Sequence, residues 1–216
     1  MGKKKGILPW RGGKSRLAPM LAGLINDIHG DLVNLYRVVK QDLEGLLKCF
    51  EWTLVSRNEF NRLRKTDPGT LTDLQRAARF LYLQKMAFGG KLNDSYGTST
   101  TDPPRLNLLR IEEELSRAHL RLSRVNVEQL DWRECLRRYD RPYTLFYLDP
   151  PYFGSENDYG KNLFSRSDFK EMSAILKTLE GNFILSLSGK FSASFISGGF
   201  PSTIRPANRS QHQPKS

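Results

Sequence analysis

Thr144-Leu145-Phe146-Tyr147-Leu148-Asp149-Pro150-Pro151-Tyr152 is the stretch that decides the fold. Residues 144–148 form an apolar run of strand length that stops abruptly at Asp149. Downstream, residues 168–180 are amphipathic, with Phe169, Met172, Leu176 and Leu179 on one face and Gly181 closing the segment. Residues 183–187, Phe-Ile-Leu-Ser-Leu, read as a second buried strand. Strand, loop, helix and strand in that order imply a parallel α/β sheet, whose ligands gather at the carboxyl ends of the strands. Asp149 lies at such an end.

Working toward the N-terminus, residues 131–139 predict a small helix, and Val125 and Val127 alternate as a short strand. Residues 105–118 predict a helix carrying Leu106, Leu109 and Leu115. Residues 91–104 are polar and rich in Gly, Pro and Thr, and read as a loop or hairpin. The strongest helical segment is 72–88, with Thr72 as cap, Phe80, Leu83 and Ala87 on one face, and Gly89-Gly90 behind it. Residues 56–66 predict a short basic helix, followed by a turn at Asp67-Pro68-Gly69. Residues 31–50 keep helical spacing as one helix or as two broken near Gly45. Residues 15–25 also look helical, through Leu17, Leu21 and Leu24. From residue 189 no period is sustained, and 189–216 reads as a disordered or degenerate tail. No internal repeat is found.

The chain has 216 residues, enough for one domain with a lobe inserted into it. No apolar run approaches the ~20 residues of a membrane span. The N-terminus lacks the apolar core of a signal peptide. Cys49 and Cys135 offer neither a disulfide framework nor metal-ligand spacing, so no metal is expected. These features predict a soluble, cytoplasmic protein, taken as a monomer. Lys and Arg number 34 against 23 Asp and Glu, a net charge of +11, and the excess is patchy. Residues 1–16 hold six basic groups and no acid, residues 57–91 hold eight against three acids, and residues 189–216 hold four and no acid. Clustered positive charge of this kind fits a polyanionic partner such as nucleic acid; solvated, Lys-rich termini are the plainer alternative.

The chemistry is carried by Asp149-Pro150-Pro151-Tyr152. Two prolines remove two backbone donors and leave carbonyls able to accept. The Asp149 carboxylate and the Pro150 carbonyl could take both hydrogens of one amino group, and Tyr152 supplies a stacking face. A reaction at an exocyclic amine needs this. The N6 nitrogen of adenine is a poor nucleophile because its lone pair is delocalised. Two acceptors make it more tetrahedral, by positioning and electrostatic stabilisation. The base must leave the duplex stack to be reached. The bland alternative is a Pro-rich turn, as at Asp102-Pro103-Pro104-Arg105, which has neither a strand before it nor an aromatic after it.

Four segments in order resemble the Dam-type adenine-N6 DNA methyltransferases. They are Pro9-Trp10-Arg11-Gly12-Gly13-Lys14, the stretch from Asn26-Asp27-Ile28-His29 to Leu35-Tyr36, Arg76-Ala77-Ala78-Arg79-Phe80-Leu81-Tyr82-Leu83, and the Asp149–Tyr152 tetrad. Together they cover roughly residues 7–188. The resemblance implies an S-adenosylmethionine-dependent enzyme that methylates a flipped-out adenine in double-stranded DNA at a specific site. It implies a Rossmann-like methyltransferase sheet over 1–50 and 105–188, with a mostly helical DNA-recognition lobe inserted at 51–104. Trp10 and Lys14 would help hold the cofactor, Asp27 would bind its ribose hydroxyls, and Asp149 would touch both its methionine end and the target amine. An indole suits a sulfonium or an adenine face, and core packing is the alternative for Trp10. A helix N-cap is the alternative for Asp27. Arg76, Arg79, Lys85 and Lys91 would face phosphates or base edges, or simply solvent.

The resemblance also locates departures. The family places a strand, a Gly-rich loop and a helix between its first helix and the Asn-Asp acid, whereas here Ile25 joins Asn26 directly. No aromatic-x-Gly-x-Gly pattern occurs at a plausible position. The expected sheet is therefore incomplete, and further strands expected after residue 187 are missing. Two other functions remain in play: a catalytically inactive remnant that still binds DNA, and a methyltransferase of RNA or a protein amide. The Dam-like segment at 72–91 speaks against the last.

Overall fold

The computed structural model describes residues 23–88, 95–97, 101, 103, 104, 106–151 and 164–186. Trp10, Lys14, Lys91, Tyr152 and the tail 189–216 lie outside the described residues. The described elements are β1 (Leu24–Asn26), α1 (Gly30–Gln41), α2 (Leu43–Lys48), α3 (Arg57–Lys65), α4 (Asp73–Met86), α5 (Ile111–Leu122), β2 (Asn126–Glu128), α6 (Trp132–Tyr139), β3 (Leu145–Leu148), α7 (Arg166–Leu176) and β4 (Asn182–Leu185). Helices alternate with two small parallel sheets, so the fold is α/β. The chain divides into two compact units, 1–138 and 139–216.

In the first unit β1 pairs in parallel with β2, with Ile25 opposite Val127. Here the expectation of a helix through residue 25 is corrected. The leucine period runs up to Leu24, but a partner strand a hundred residues away claims Leu24–Asn26, and sheet pairing overrides local helical spacing. The break expected near Gly45 falls instead at Asp42. Asp42 ends α1, its N–H bonded to the Val38 carbonyl, and its carboxylate caps α2 by accepting from the Gly45 N–H at 3.0 Å. Gly45 lies inside α2. The expected helix at 105–118 begins only at Ile111. Before it, the Asn107 side chain accepts from the Leu109 N–H, and Leu109 is 96% exposed rather than on the core face.

The other helices follow their local signals. Ser56 caps α3 through the Glu59 N–H. Thr72 and Gln75 form a reciprocal capping box at the start of α4. Past α4, Ala87 forms an isolated antiparallel bridge with Tyr96. One core serves the unit. Leu35, Val39, Leu46, Phe60, Ala77, Leu81, Tyr82, Leu83, Met86 and Leu115 are all buried in it, so α1 to α5 share a single apolar interior. At roughly 1.5–3 kcal/mol per buried large side chain, this interior is the main stabilising term of the unit.

In the second unit β3 and β4 pair in parallel in full register, Leu145 opposite Asn182 through Leu148 opposite Leu185, with α7 between them in sequence. The strand–helix–strand order expected here holds, with the helix ending at Leu176 rather than at 180; residues 152–163, expected as the loop, lie outside the described residues. Asp140 fixes the turn into β4, one carboxylate oxygen accepting from the Gly181 N–H at 2.8 Å and the other from the Glu180 N–H at 3.0 Å. Gly181 has to be glycine. A Cβ there would lie 2.9 Å from the Thr144 carbonyl oxygen and 3.0 Å from that of Arg141. β4 is half-buried throughout, not fully buried as a strand covered on both faces would be.

Candidate functional site

In the first unit the functional geometry starts at the carboxyl end of β1. Asn26 locks this end with a reciprocal amide clamp: its Nδ2 donates to the Leu130 carbonyl at 3.0 Å, and its Oδ1 accepts from the Leu130 N–H at 2.8 Å. Asp27 follows, its N–H still reaching the Glu128 carbonyl at 3.3 Å. Its Oδ1 accepts from the His29 N–H at 2.8 Å, an Asx turn that aims the chain into α1. The helix N-cap is His29, not Asp27. Burial pushes the Asp27 carboxyl above the ordinary aspartate value, against the His29 N–H bond and the charge of His29, which pull it down. The site thus offers a half-buried carboxylate at a strand end. Burial and the Asp27 charge also push the Tyr36 phenol up to about 12.

The donor set suits ribose hydroxyls at one point and falls short at another. Asp27 is an acceptor-only group, raised by desolvation and at a strand's carboxyl end, which is what paired hydroxyls require. The Gly-rich cradle for the rest of such a cofactor has no counterpart in the sequence.

His29 and α1 tie this end to α4. The His29 ring lies 5.3 Å from Phe80 at a 41° tilt, and its Nδ1 is buried with no hydrogen-bond partner. Asp31 pairs with the Arg76 guanidinium, which is partly buried. Asn34 donates to the Asp73 carbonyl at 2.7 Å, and Arg37 pairs with the Asp73 carboxylate at 2.9 Å. The remaining basic residues of α4 are likewise engaged. Arg79 donates through Nε to the Leu63 carbonyl at 2.7 Å, and burial lowers its guanidinium below the ordinary value. Lys85 is buried and its ammonium pairs with Glu114 of α5. The structure thus turns the charged ends of Arg76, Arg79 and Lys85 onto protein partners.

In the second unit Asp149 stands directly after β3, half-buried, with Pro150 buried and Pro151 half-buried behind it. Pairing continues one step past the strands, the Ser186 N–H donating to the Leu148 carbonyl at 2.8 Å, so the backbone just before Asp149 is anchored. The tetrad's first three residues therefore follow a fixed strand end.

A family model described as D12 class N6 adenine-specific DNA methyltransferase matches residues 16–199. The chain belongs to this D12 family. Membership makes it a methyltransferase of the adenine-N6 DNA class by family, consistent with the Dam-type resemblance, and makes DNA its substrate by family. No curated protein matches the chain. Both units lie largely within the matched D12 region.

Among the described residues no helix is long and apolar enough to cross a membrane. Nor do three of His, Cys, Asp or Glu gather there into a set able to hold a metal ion. Burial pushes the thiols of Cys49 and Cys135 upward, which makes them poor nucleophiles. Two features escaped the sequence-based expectations. One is the Asn26 clamp, whose signal was a polar residue at the end of an apolar run. The other is the set of cations on α3, visible in the charge of 57–91 but not assigned there to any residue.

Proposed function

We propose that this chain is an S-adenosylmethionine-dependent DNA adenine-N6 methyltransferase built on a Rossmann-like sheet, with residues 51–104 as its inserted DNA-recognition lobe. The reading rests on one observation above the rest: in a D12 family chain, two half-buried acids, Asp27 and Asp149, each follow the carboxyl end of a parallel strand. Asp27 would hold the cofactor ribose, with Trp10 and Lys14 assisting. S-adenosylmethionine, when bound, supplies an electrophilic methyl group. The protein's part is to prepare the nucleophile. Asp149 and the Pro150 carbonyl accept the two hydrogens of the adenine amine, Pro151 keeps that backbone extended, and Tyr152 stacks on the extruded base. The new N–C bond would form as the methyl–sulfonium bond breaks, the cofactor leaving as the neutral thioether, and one amine proton would pass to the Asp149 carboxylate and on to solvent. On the DNA side, Lys91 is the proposed contact among the four expected residues Arg76, Arg79, Lys85 and Lys91. For the first three, a phosphate would have to replace the protein partner each now holds.

Transfer of tritium from labelled cofactor to plasmid DNA tests the reading. Label should appear in N6-methyladenine, and Asp149→Ala should abolish it while DNA binding persists. Equal transfer by that variant would remove the proposed site.

A second reading, a remnant that binds DNA without catalysis, is favoured by a specific feature. Ile25 runs straight into Asn26, so the Gly-rich loop that cradles the cofactor in the family has no counterpart here. Calorimetric titration with S-adenosylmethionine separates the two. Micromolar binding supports the enzyme, and no heat with intact DNA binding supports the remnant.

A further inference from the structure

We propose that the outer face of α3 is the docking face for the phosphate backbone of duplex DNA. The inference rests on the reading above, that DNA is this chain's substrate, and adds the surface that meets it. Over nine residues α3 carries Arg57, Arg62, Arg64 and Lys65 against one acid, Glu59. No other helix among the described residues has so large a positive excess. The helix is held from behind: Phe60 is fully buried, and Tyr82 of α4 accepts the Ser56 N–H at 3.1 Å. The four cations lie on the exposed side.

The cations of α4 are held differently. There the guanidinium of Arg76 and the ammonium of Lys85 pair with acids of other elements, and Arg79 bonds the backbone of α3. On α3 all four cations are exposed. Arg62 pairs with Glu59 one turn away at 2.6 Å, Arg57 stands 5.1 Å over the Tyr96 ring, and Arg64 stands 5.8 Å over the Phe60 ring. Arg62 holds Glu59 at two points, at 2.9 and 2.6 Å, and from its exposed position it can exchange that carboxylate for a phosphate, which takes the same two-point bond. The segment leading into α3 adds Trp52, 89% exposed, and Leu54, also exposed. Apolar and aromatic groups beside cations are what DNA-deforming surfaces offer an unstacked step, and a flipped base leaves such a step behind. Phosphate contact fixes orientation without reading sequence, so this face would position the duplex and leave specificity to other residues.

The test is the salt dependence of binding of the full chain to a labelled DNA duplex, followed by fluorescence anisotropy between about 50 and 200 mM salt. The triple variant R62Q/R64Q/K65Q should bind more weakly. Its slope of log affinity against log salt should flatten by about 0.9 for each phosphate that the variant no longer neutralises. The variant R117Q/R121Q/R124Q, which removes as much charge from exposed arginines on and just after α5, should keep the wild-type slope. Should the triple variant melt early, Lys65→Glu alone, at an exposed helix end, should still flatten the slope by about one. An unchanged slope in the α3 variants, or equal flattening in the α5 control, overturns the α3 face and leaves the DNA reading standing. Preference for duplex RNA over DNA also overturns it. Failure of the wild-type chain to bind any duplex removes the DNA reading itself.

Discussion

Lys85 offers the sharpest separation between a cation that reads DNA and one that holds the protein together. Its side chain is 10% exposed and that of its partner Glu114 25%, and the pair links α4 to α5. Lys85→Met keeps the apolar stem but strands Glu114 in a mostly dry position. Breaking a fully buried pair costs about 3–5 kcal/mol, and water reaching a quarter of Glu114 brings the expectation here to about 2–3 kcal/mol. Glu114→Leu should cost about as much, because it strands the Lys85 ammonium instead. Lys85→Met combined with Glu114→Leu should recover most of the loss, since a buried pair exchanged for apolar groups is close to neutral. Urea denaturation of the full chain, followed by far-ultraviolet circular dichroism, gives the four free energies of the cycle. A coupling of at least about 1.5 kcal/mol is expected. If Lys85→Met unfolds within about 0.5 kcal/mol of wild type, the range of an ordinary surface change, yet loses DNA affinity, the reasoning fails and Lys85 is a DNA contact.

Other perturbations probe the remaining joints. Asp27→Asn should raise the melting temperature at neutral pH. The folded carboxyl value is raised, so ionised Asp27 opposes folding once pH exceeds it, whereas in acid both states are protonated and the gain should vanish. The same variant should lose cofactor binding; a lower melting temperature at neutral pH would mean the acid is not under an unrelieved burial penalty. Gly181→Ala should cost about 1–3 kcal/mol and loosen the β3–β4 ladder, because the atoms it meets are backbone carbonyls that cannot step aside. Hydrogen exchange at Asn182 and Ser186 reads this directly, and wild-type protection there would contradict it. Tyr82→Phe leaves the Ser56 N–H and the Leu54 carbonyl without their shared hydroxyl, both contacts being 3.0–3.1 Å. A loss of about 1–3 kcal/mol is expected in the same urea experiment.

What could be read from the sequence was what local physics decides. The apolar run ending at Asp149-Pro150-Pro151 could hardly be anything but a strand end, and its parallel partner followed from the helix between them. The helix α4 announced itself through Thr72, Gln75 and an apolar face. The start of α5 also carries a legible signal: Glu112, Glu113 and Glu114 crowd its first turn, where a helix favours acids, whereas Leu106 and Leu109 imitate the period without belonging to it. β1 was not legible. Leu24 continues a leucine period, and only Val127, far along the chain, converts Leu24–Asn26 into a strand. Nor could charge counting tell the cations of α4 from those of α3. The difference lies in Asp31, Glu114 and the Leu63 carbonyl, which belong to other elements and meet α4 only in the folded unit.

That distinction explains why residues 57–91 can carry so many basic groups without being uniformly adhesive. Cations on the inward helix are consumed in joining α4 to the elements around it, so their number says little about the partner. They do bear on the site, because α1 begins at the Asp27–His29 turn and is bound to α4 through Asp31, Asn34 and Arg37. The Asn26 clamp holds the strand end from one side and the α1–α4 bonds hold it from the other. A half-buried carboxylate whose own ionisation opposes folding needs such bracing to stay where it is. Weakening the brace with Asp31→Asn should therefore free the Asp27 turn to relax toward water and bring its carboxyl value down toward that of an ordinary aspartate. Titration of the Asp27 carboxyl by carbon-detected NMR reads that shift, and an unmoved value would show that the clamp alone suffices.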